Sequence, residues 1–166
     1  RTHPAIIAQA AATSACLMPG RFFLGVGSGE ALNEHVTGAP WPSTEVRQEM
    51  MVEAVDVIRK LWMGGLVSHR GTHYTVENAR IYSLPDPLPP IYLAASGTNA
   101  AELAGKIGDG LIGTGPDREI IQTFEQQGVI PVGASSAIAD LFQNALVVSG
   151  VFGLRRAIQR WHFRTQ

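Results

Sequence analysis

The sequence has little of what several classes of protein require. Its 166 residues include a single cysteine, Cys16, so no disulfide can form within the chain. Charged residues make up 16% of the chain and the formal net charge is −1, so we expect no nucleic-acid partner. No apolar run approaches the roughly 20 residues that cross a bilayer, so no membrane partner is expected either. These absences favour a cytoplasmic globular protein in which Cys16 is buried in the core.

What the chain does contain is apolar runs that lead into loops of small residues. Three such runs lie at residues 21–27, 90–97 and 108–115. Strand–loop–helix units in series predict an α/β fold with a parallel sheet, whose ligands bind at the carboxyl ends of the strands. We therefore expect three loops at one rim, at residues 27–33, 96–100 and 114–116. A complete eight-stranded barrel needs about 250 residues, so the chain is expected to be part of one.

The remaining segments alternate between helical patterns and extended ones. Apolar residues at spacings of three and four predict a helix up to Trp62 with one buried stripe, with Thr44 as its cap and Glu53 on the opposite side. Helices are also expected at residues 4–18, from about 99 to 107, and from Pro116 onward. Residues 66–90 predict a small antiparallel excursion followed by an extended linker.

The sequence divides near Glu125. We expect residues 1–125 to form one partial barrel domain and residues 126–166 to form an atypical helical tail. Asp140 is the only acidic residue after Glu125, whereas four arginines lie near the end. The tail can be a helical cap, or it can lie outside the barrel altogether.

The loop at residues 27–30, called the glycine loop below, is the first candidate site. Counted from Gly25, the letters "GVGSGE" fail the spacing of a dinucleotide-binding motif and lack the lysine of a P-loop. Residues without Cβ leave amide groups bare for a phosphate or a carbonyl oxygen. Glu30 beside them can act as a general acid or base if the cleft desolvates it. The alternative is that Glu30 only caps the following turn.

Other candidate residues support weaker interpretations. Ser96 and Gly97 open a helix whose first amides can bind an anion, or they form only a tight turn. His69 and His73 have no neighbouring ligands at a suitable spacing, so we expect no metal site. Trp41 can either form the wall of a pocket for a flat ring or hold its loop against the core.

Residues 3–125 resemble a known enzyme family. The segments that carry the resemblance are "HPAIIAQAAAT", "FLGVGSGEALNE", "IRKLWMGG", "IYLAASG" and "AGKIGDGLIGTG". In this order they resemble the coenzyme F420-dependent branch of the luciferase-like oxidoreductases, and most closely its glucose-6-phosphate dehydrogenase group. The segment "GSGEALNE" is specific to that group. The resemblance implies a TIM (β/α)8 barrel, commonly a homodimer, that transfers hydride between a small organic substrate and the deazaflavin.

The resemblance also implies roles for particular residues. Glu30 would be the catalytic acid or base, and Thr114 would lie where the family holds a sugar phosphate. Asp117 stands where the family has a lysine, which argues against glucose 6-phosphate as the substrate. The residues expected to bind the cofactor are Ser28, Gly29, Asn33, Ser96, Gly97 and Ala100.

Two alternatives to an F420-dependent oxidoreductase remain open. One is an FMN-dependent monooxygenase of the wider luciferase-like family, against which the segment "GSGEALNE" argues. The other is a non-catalytic, truncated piece of a barrel. It is suggested because the family's catalytic Asp-His pair would precede Arg1 and the match ends near Glu125.

Overall fold

The computed structural model describes residues 2–127. Helices and strands alternate along these residues, as the sequence predicts. The elements in chain order are α1 (Pro4–Leu17), β1 (Leu24–Val26), α2 (Ala31–Glu34), a 3₁₀ turn (His35–Thr37), α3 (Thr44–Trp62), β2 (Val67–Arg70), β3 (Thr75–Ala79), β4 (Ile91–Ala94), α4 (Thr98–Ile107), β5 (Gly110–Ile112) and α5 (Arg118–Glu125). The tail is predicted at residues 126–166, of which residues 128–166 lie outside the described residues.

A parallel sheet of three strands organises the fold. β4 lies in the centre, with β1 on one side and β5 on the other. Leu93 aligns with Val26 of β1 and with Leu111 of β5. Helix α3 lies in the connection from β1 to β4, and α4 in the connection from β4 to β5. The predicted parallel strands with helical crossovers are confirmed. Within residues 2–127, β1 pairs with β4 alone, and its residues are partly buried or exposed.

Helices α1 and α3 pack closely because one face of α1 is made of alanine. Ala8, Ala11, Ala12 and Ala15 are buried, at the spacings of three and four that define one face of a helix. Alanine adds no atoms beyond Cβ, so large side chains of α3 can approach the backbone of α1. The indole Nε1 of Trp62 donates to the Ala8 carbonyl oxygen at 2.9 Å. This packing fixes α3 against the rest of the domain.

Helix α3 has the predicted length but a different cap. Its N-cap is Ser43, whose backbone is extended and whose Oγ accepts a hydrogen bond from the Val46 N–H at 3.4 Å. The prediction of Thr44 as the cap is therefore wrong, because Thr44 is already the first helical residue. Helix α5 likewise begins at Arg118, after Asp117 as its N-cap and not directly at Pro116.

The β2–β3 hairpin confirms the predicted antiparallel excursion and docks on α3 through Glu53. Glu53 Oε1 accepts a hydrogen bond from the Tyr74 N–H at 2.9 Å and lies 3.0 Å from His69 Nε2. Its Oε2 accepts a hydrogen bond from the His73 N–H at 2.9 Å. Glu53 is predicted on the side of α3 opposite the buried stripe, and the hairpin folds back over this side chain and leaves it 13% exposed.

The same contacts set the protonation state of Glu53. Burial raises the pKa of this carboxyl, but the hydrogen bonds from His69, His73 and Tyr74 outweigh burial and lower the pKa to about 2. The turn between the strands needs glycine at position 71, because a Cβ there would overlap the Glu53 carboxylate. One ionised side chain thus accepts hydrogen bonds from the backbone of two consecutive hairpin residues, His73 and Tyr74.

Two further expectations concern Cys16 and membrane spans. Cys16 is exposed within the described residues, so the expectation of a buried thiol is wrong. It lies on the side of α1 away from the alanine face that packs against α3. Within residues 2–127, no helix has both the length and the apolar character needed to span a bilayer.

Candidate functional site

The loops that follow β1, β4 and β5 lie at one edge of the sheet. The strands are parallel and in register, with Val26 beside Leu93 and Ala94 beside Ile112, so their carboxyl ends meet there. The loops are close enough that a Cβ on Gly27 would lie 3.3 Å from the Ala94 Cβ. The predicted common rim of the three loops is confirmed.

The glycine loop is shaped by Gly29. Its φ of +75° lies in the left-handed region, which residues with a Cβ rarely adopt. A Cβ at this position would also lie 3.3 Å from Trp41 Cη2 and 3.3 Å from Glu34 Oε1. The loop backbone is therefore approached closely by two side chains, and glycine is required for both conformation and space.

The predicted glycine-loop site residues lie on or just after this loop. Ser28 and Glu30 are exposed, and Asn33 is within α2. Glu30 occupies the N-cap position of α2, but its side chain makes no capping hydrogen bond. Glu30 is therefore at the cap position of the following turn, but its carboxylate does not cap that turn.

Trp41 lies against both the glycine loop and α3. The guanidinium of Arg47 lies 4.6 Å from the centre of the Trp41 ring, within the range of a cation–π interaction. Arg47 also donates to Ser28 Oγ at 3.4 Å and to the Pro42 carbonyl oxygen at 3.2 Å. Of the two interpretations of Trp41, these contacts favour the one in which its loop is held in place.

The second and third loops line a cavity of about 530 Å³. Ser96 and Thr114, two of the predicted site residues, are among its lining residues, together with Asp117 and Arg118 of the α5 N-terminus. No residue of the glycine loop lines this cavity. The structure thus brings Ser96 and Thr114 to one cavity and leaves Ser28, Gly29 and Glu30 beside it on the same rim.

The N-termini of α4 and α5 at this rim differ in whether a side chain accepts hydrogen bonds from their first amides. The N-cap of α4 is Gly97, which has no side chain to occupy the first amides of the helix. A Cβ on Gly97 would meet nothing within 4 Å, so there is open space beside these amides. At α5, Asp117 Oδ1 accepts hydrogen bonds from the N–H groups of Glu119 at 3.0 Å and Ile120 at 3.3 Å. The α4 end therefore fits a phosphorylated cofactor, whereas the α5 end is occupied by its own carboxylate.

No metal centre is found in the described part of the chain, where no three His, Cys, Asp or Glu side chains are grouped to hold an ion. His69 contacts Glu53, and His73 Nε2 lies 3.3 Å from Glu49 Oε2. Both histidines therefore belong to the hairpin contact with α3 and not to the rim.

Sequence reasoning missed two residues that join distant parts of the domain, one at the rim and one at the opposite end of the sheet. Arg47 reaches the glycine loop from α3, and no local motif signals a contact across 19 positions. Asp109 accepts hydrogen bonds from the Ile91 N–H at 2.8 Å and from Arg59 at 2.8 Å, and so joins the starts of β4 and β5 to α3. The available signal for Asp109 was a charged residue near the start of the predicted apolar run at residues 108–115.

Comparisons with known proteins agree with this geometry. The profile of the luciferase-like monooxygenase family matches residues 1–127. The chain is 50% identical over 121 residues to an F420-dependent glucose-6-phosphate dehydrogenase of Beutenbergia cavernae, a match that covers 72% of this chain and 36% of that protein. It is 44% identical over 139 residues to the Mycobacterium tuberculosis enzyme of the same name, covering 82% of this chain and 41% of that protein. The chain thus spans about two fifths of the length of these relatives.

Solved structures show the same relationship. An F420-dependent secondary alcohol dehydrogenase, solved with an F420-acetone adduct, superposes with a TM-score of 0.73 and 38% identity, covering 80% of this chain and 42% of that one. An F420-dependent tetrahydromethanopterin reductase from Methanopyrus kandleri, at 21% identity and a TM-score of 0.67, shares the fold. The predicted TIM-barrel fold, present here in part, is confirmed. The chain belongs to the luciferase-like monooxygenase family.

Proposed function

We propose that this chain carries the cofactor-binding rim of a coenzyme F420-dependent oxidoreductase acting on a CH–OH donor. The observation that carries the proposal is that the glycine loop and the N-terminus of α4, which has no side-chain cap, lie on one rim. Backbone amides at both places can approach an extended, phosphorylated cofactor. The named relatives that share this segment, the glucose-6-phosphate and secondary alcohol dehydrogenases, support F420 as the cofactor.

The residues divide between holding the cofactor and moving a proton. Ser28, Gly29 and Asn33 are proposed to bind the deazaflavin from the first loop, and Ser96, Gly97 and Ala100 its phosphate-bearing side from the second. When bound, the deazaflavin supplies the hydride acceptor or donor. Glu30 is proposed to exchange the proton that accompanies oxidation or reduction of the substrate hydroxyl. Its place at the rim, beside Gly29 at the end of the glycine loop, supports that role.

We propose an uncharged alcohol as the substrate, with Thr114 at the substrate end of the cavity. The Asp117 carboxylate already occupies the α5 amides that would otherwise attract an anion. Asp117 and Arg118 together line the cavity with one charge of each sign, so a phosphate dianion would find no net positive charge there. The relative described as a secondary alcohol dehydrogenase therefore offers a better guide to the substrate than those described as acting on glucose 6-phosphate.

The test is turnover by the full-length protein that contains this segment. With F420, we expect reduction of the cofactor by a secondary alcohol and little or none by glucose 6-phosphate. Glu30→Gln should remove most turnover while leaving F420 binding unchanged, whereas the exposed Glu45→Gln on α3 serves as the matched control. Equal turnover in Glu30→Gln would refute the proton-transfer role, and preferred turnover of glucose 6-phosphate would refute the proposed substrate.

Two further properties, the oligomeric state and the location, are proposed. A homodimer is proposed for the full-length protein, because the resemblance to the F420-dependent branch implies it. A cytoplasmic location is proposed because the sequence has one cysteine and no disulfide framework.

A further inference from the structure

We propose that Arg47 is a positioning residue that fixes the glycine loop in the conformation it needs to bind the cofactor. The effect of Arg47 on cofactor binding rests on the proposed function. The positioning itself rests on contacts that Arg47 makes to three separate segments. They are the glycine loop, the loop carrying Trp41, and the first turn of α3.

The guanidinium of Arg47 satisfies a different partner with each of its nitrogens. Nε donates to the Pro42 carbonyl oxygen at 3.2 Å. One terminal nitrogen donates to Thr44 Oγ1 at 3.0 Å and the other to Ser28 Oγ at 3.4 Å. A planar group with five N–H donors can make these bonds together, whereas a lysine ammonium cannot reproduce their geometry. Arg47 therefore links Ser28 to a helix that is itself fixed by packing.

Trp41 provides a second link between Arg47 and the loop. Arg47 stacks 4.6 Å from the centre of the indole ring. The edge of that ring packs against Gly29, where an added Cβ would lie 3.3 Å from Cη2. Arg47 thus restrains the loop at two consecutive residues, Ser28 directly and Gly29 through Trp41. Glu30 is the next residue, so its position depends on the same restraint.

The first measurement needs no cofactor. Hydrogen exchange of residues 22–34 should become about tenfold faster in Arg47→Ala, since a cation–π contact and a hydrogen bond to a charged group are both lost. The matched control is Arg70→Ala, because the Arg70 side chain is 82% exposed and donates to Glu77 across the hairpin, away from the glycine loop. Adding Ser28→Ala to Arg47→Ala should change the exchange of the loop little further.

The second measurement is the dissociation constant for F420, followed by fluorescence, together with urea unfolding of each variant. We expect Arg47→Ala to weaken F420 binding about tenfold with the same unfolding midpoint as Arg70→Ala. Arg47→Lys should lie between Arg47→Ala and the wild type, and gives the same comparison if Arg47→Ala does not fold.

Each outcome decides a separate question. Unchanged exchange in residues 22–34 would overturn the proposal, and so would faster exchange spread equally over the whole domain. Faster exchange confined to the rim with unchanged F420 affinity would overturn the link to the cofactor. If the wild type binds no F420 but the loop responds as expected, the proposed function fails while the positioning by Arg47 is supported.

Discussion

Replacing Glu53 by glutamine should make the stability of the domain less dependent on pH. Glu53 receives two backbone N–H bonds at 2.9 Å and contacts His69 at 3.0 Å, with 13% of its side chain exposed. Its pKa falls from 4.5 to about 2 on folding. A carboxyl with such a shift contributes about 3 kcal/mol of stability at neutral pH.

The sign of the pH dependence follows from the direction of the shift. Because the folded pKa lies below the unfolded value, the contribution is complete above about pH 5 and is lost as the pH falls through 4.5 toward 2. In that interval the unfolded chain takes up the proton first and is stabilised. Glutamine has no charge to titrate and only one oxygen to accept the two N–H bonds, so its deficit should appear at pH 7 and shrink in acid.

The assay is urea unfolding followed by circular dichroism at pH 7, 5 and 3. We expect Glu53→Gln to be about 2 to 3 kcal/mol less stable than the wild type at pH 7, with a smaller difference at pH 3. The matched control is Glu77→Gln, since Glu77 lies on the same hairpin with 67% of its side chain exposed and should change stability little. A deficit of the same size at all three pH values would refute the electrostatic reasoning.

Two further predictions concern residues that join elements of the fold. Gly71→Ala should lower stability by about 1 to 3 kcal/mol, because its Cβ would overlap the Glu53 carboxylate and displace the hairpin; an unchanged urea midpoint would contradict this. Asp109→Ala should cost about 1 to 2 kcal/mol, because the Ile91 N–H loses its acceptor and Arg59 loses its ion pair while keeping the Ile107 carbonyl oxygen. The matched control is the exposed Asp56→Ala. If Asp109→Ala is as stable as the wild type and this control, the Asp109 contacts contribute nothing to stability.

The order of elements and the shared rim could be predicted because both follow from local patterns. Apolar runs that end in small residues mark β1, β4 and β5, and parallel strands then require their carboxyl ends to meet. The C-terminal boundary of α3 could also be predicted, since the apolar stripe ends at Trp62, before Gly64. Its cap was misassigned because Ser43 and Thr44 are both good capping residues and adjacent in sequence.

Contacts between distant segments could not be predicted from the sequence. In the sequence, Glu53 is a polar residue opposite the buried stripe. Its contact with the hairpin depends on His69, 16 positions away, and is visible only in the folded structure. Arg47 likewise gains its role from Ser28, a residue before α3 whose position depends on the tertiary fold. Cys16 was expected to be buried from its apolar neighbours, but helix geometry places it away from the alanine face.

The central claim is that this rim binds coenzyme F420, and fluorescence titration of the 166-residue chain tests it most directly. The account predicts saturable binding of F420 with no comparable binding of FMN. It also predicts that Gly29→Ala weakens the binding, because a Cβ there conflicts with the φ of +75° and with Trp41. Preferential binding of FMN, or no saturable binding of F420, would contradict the account.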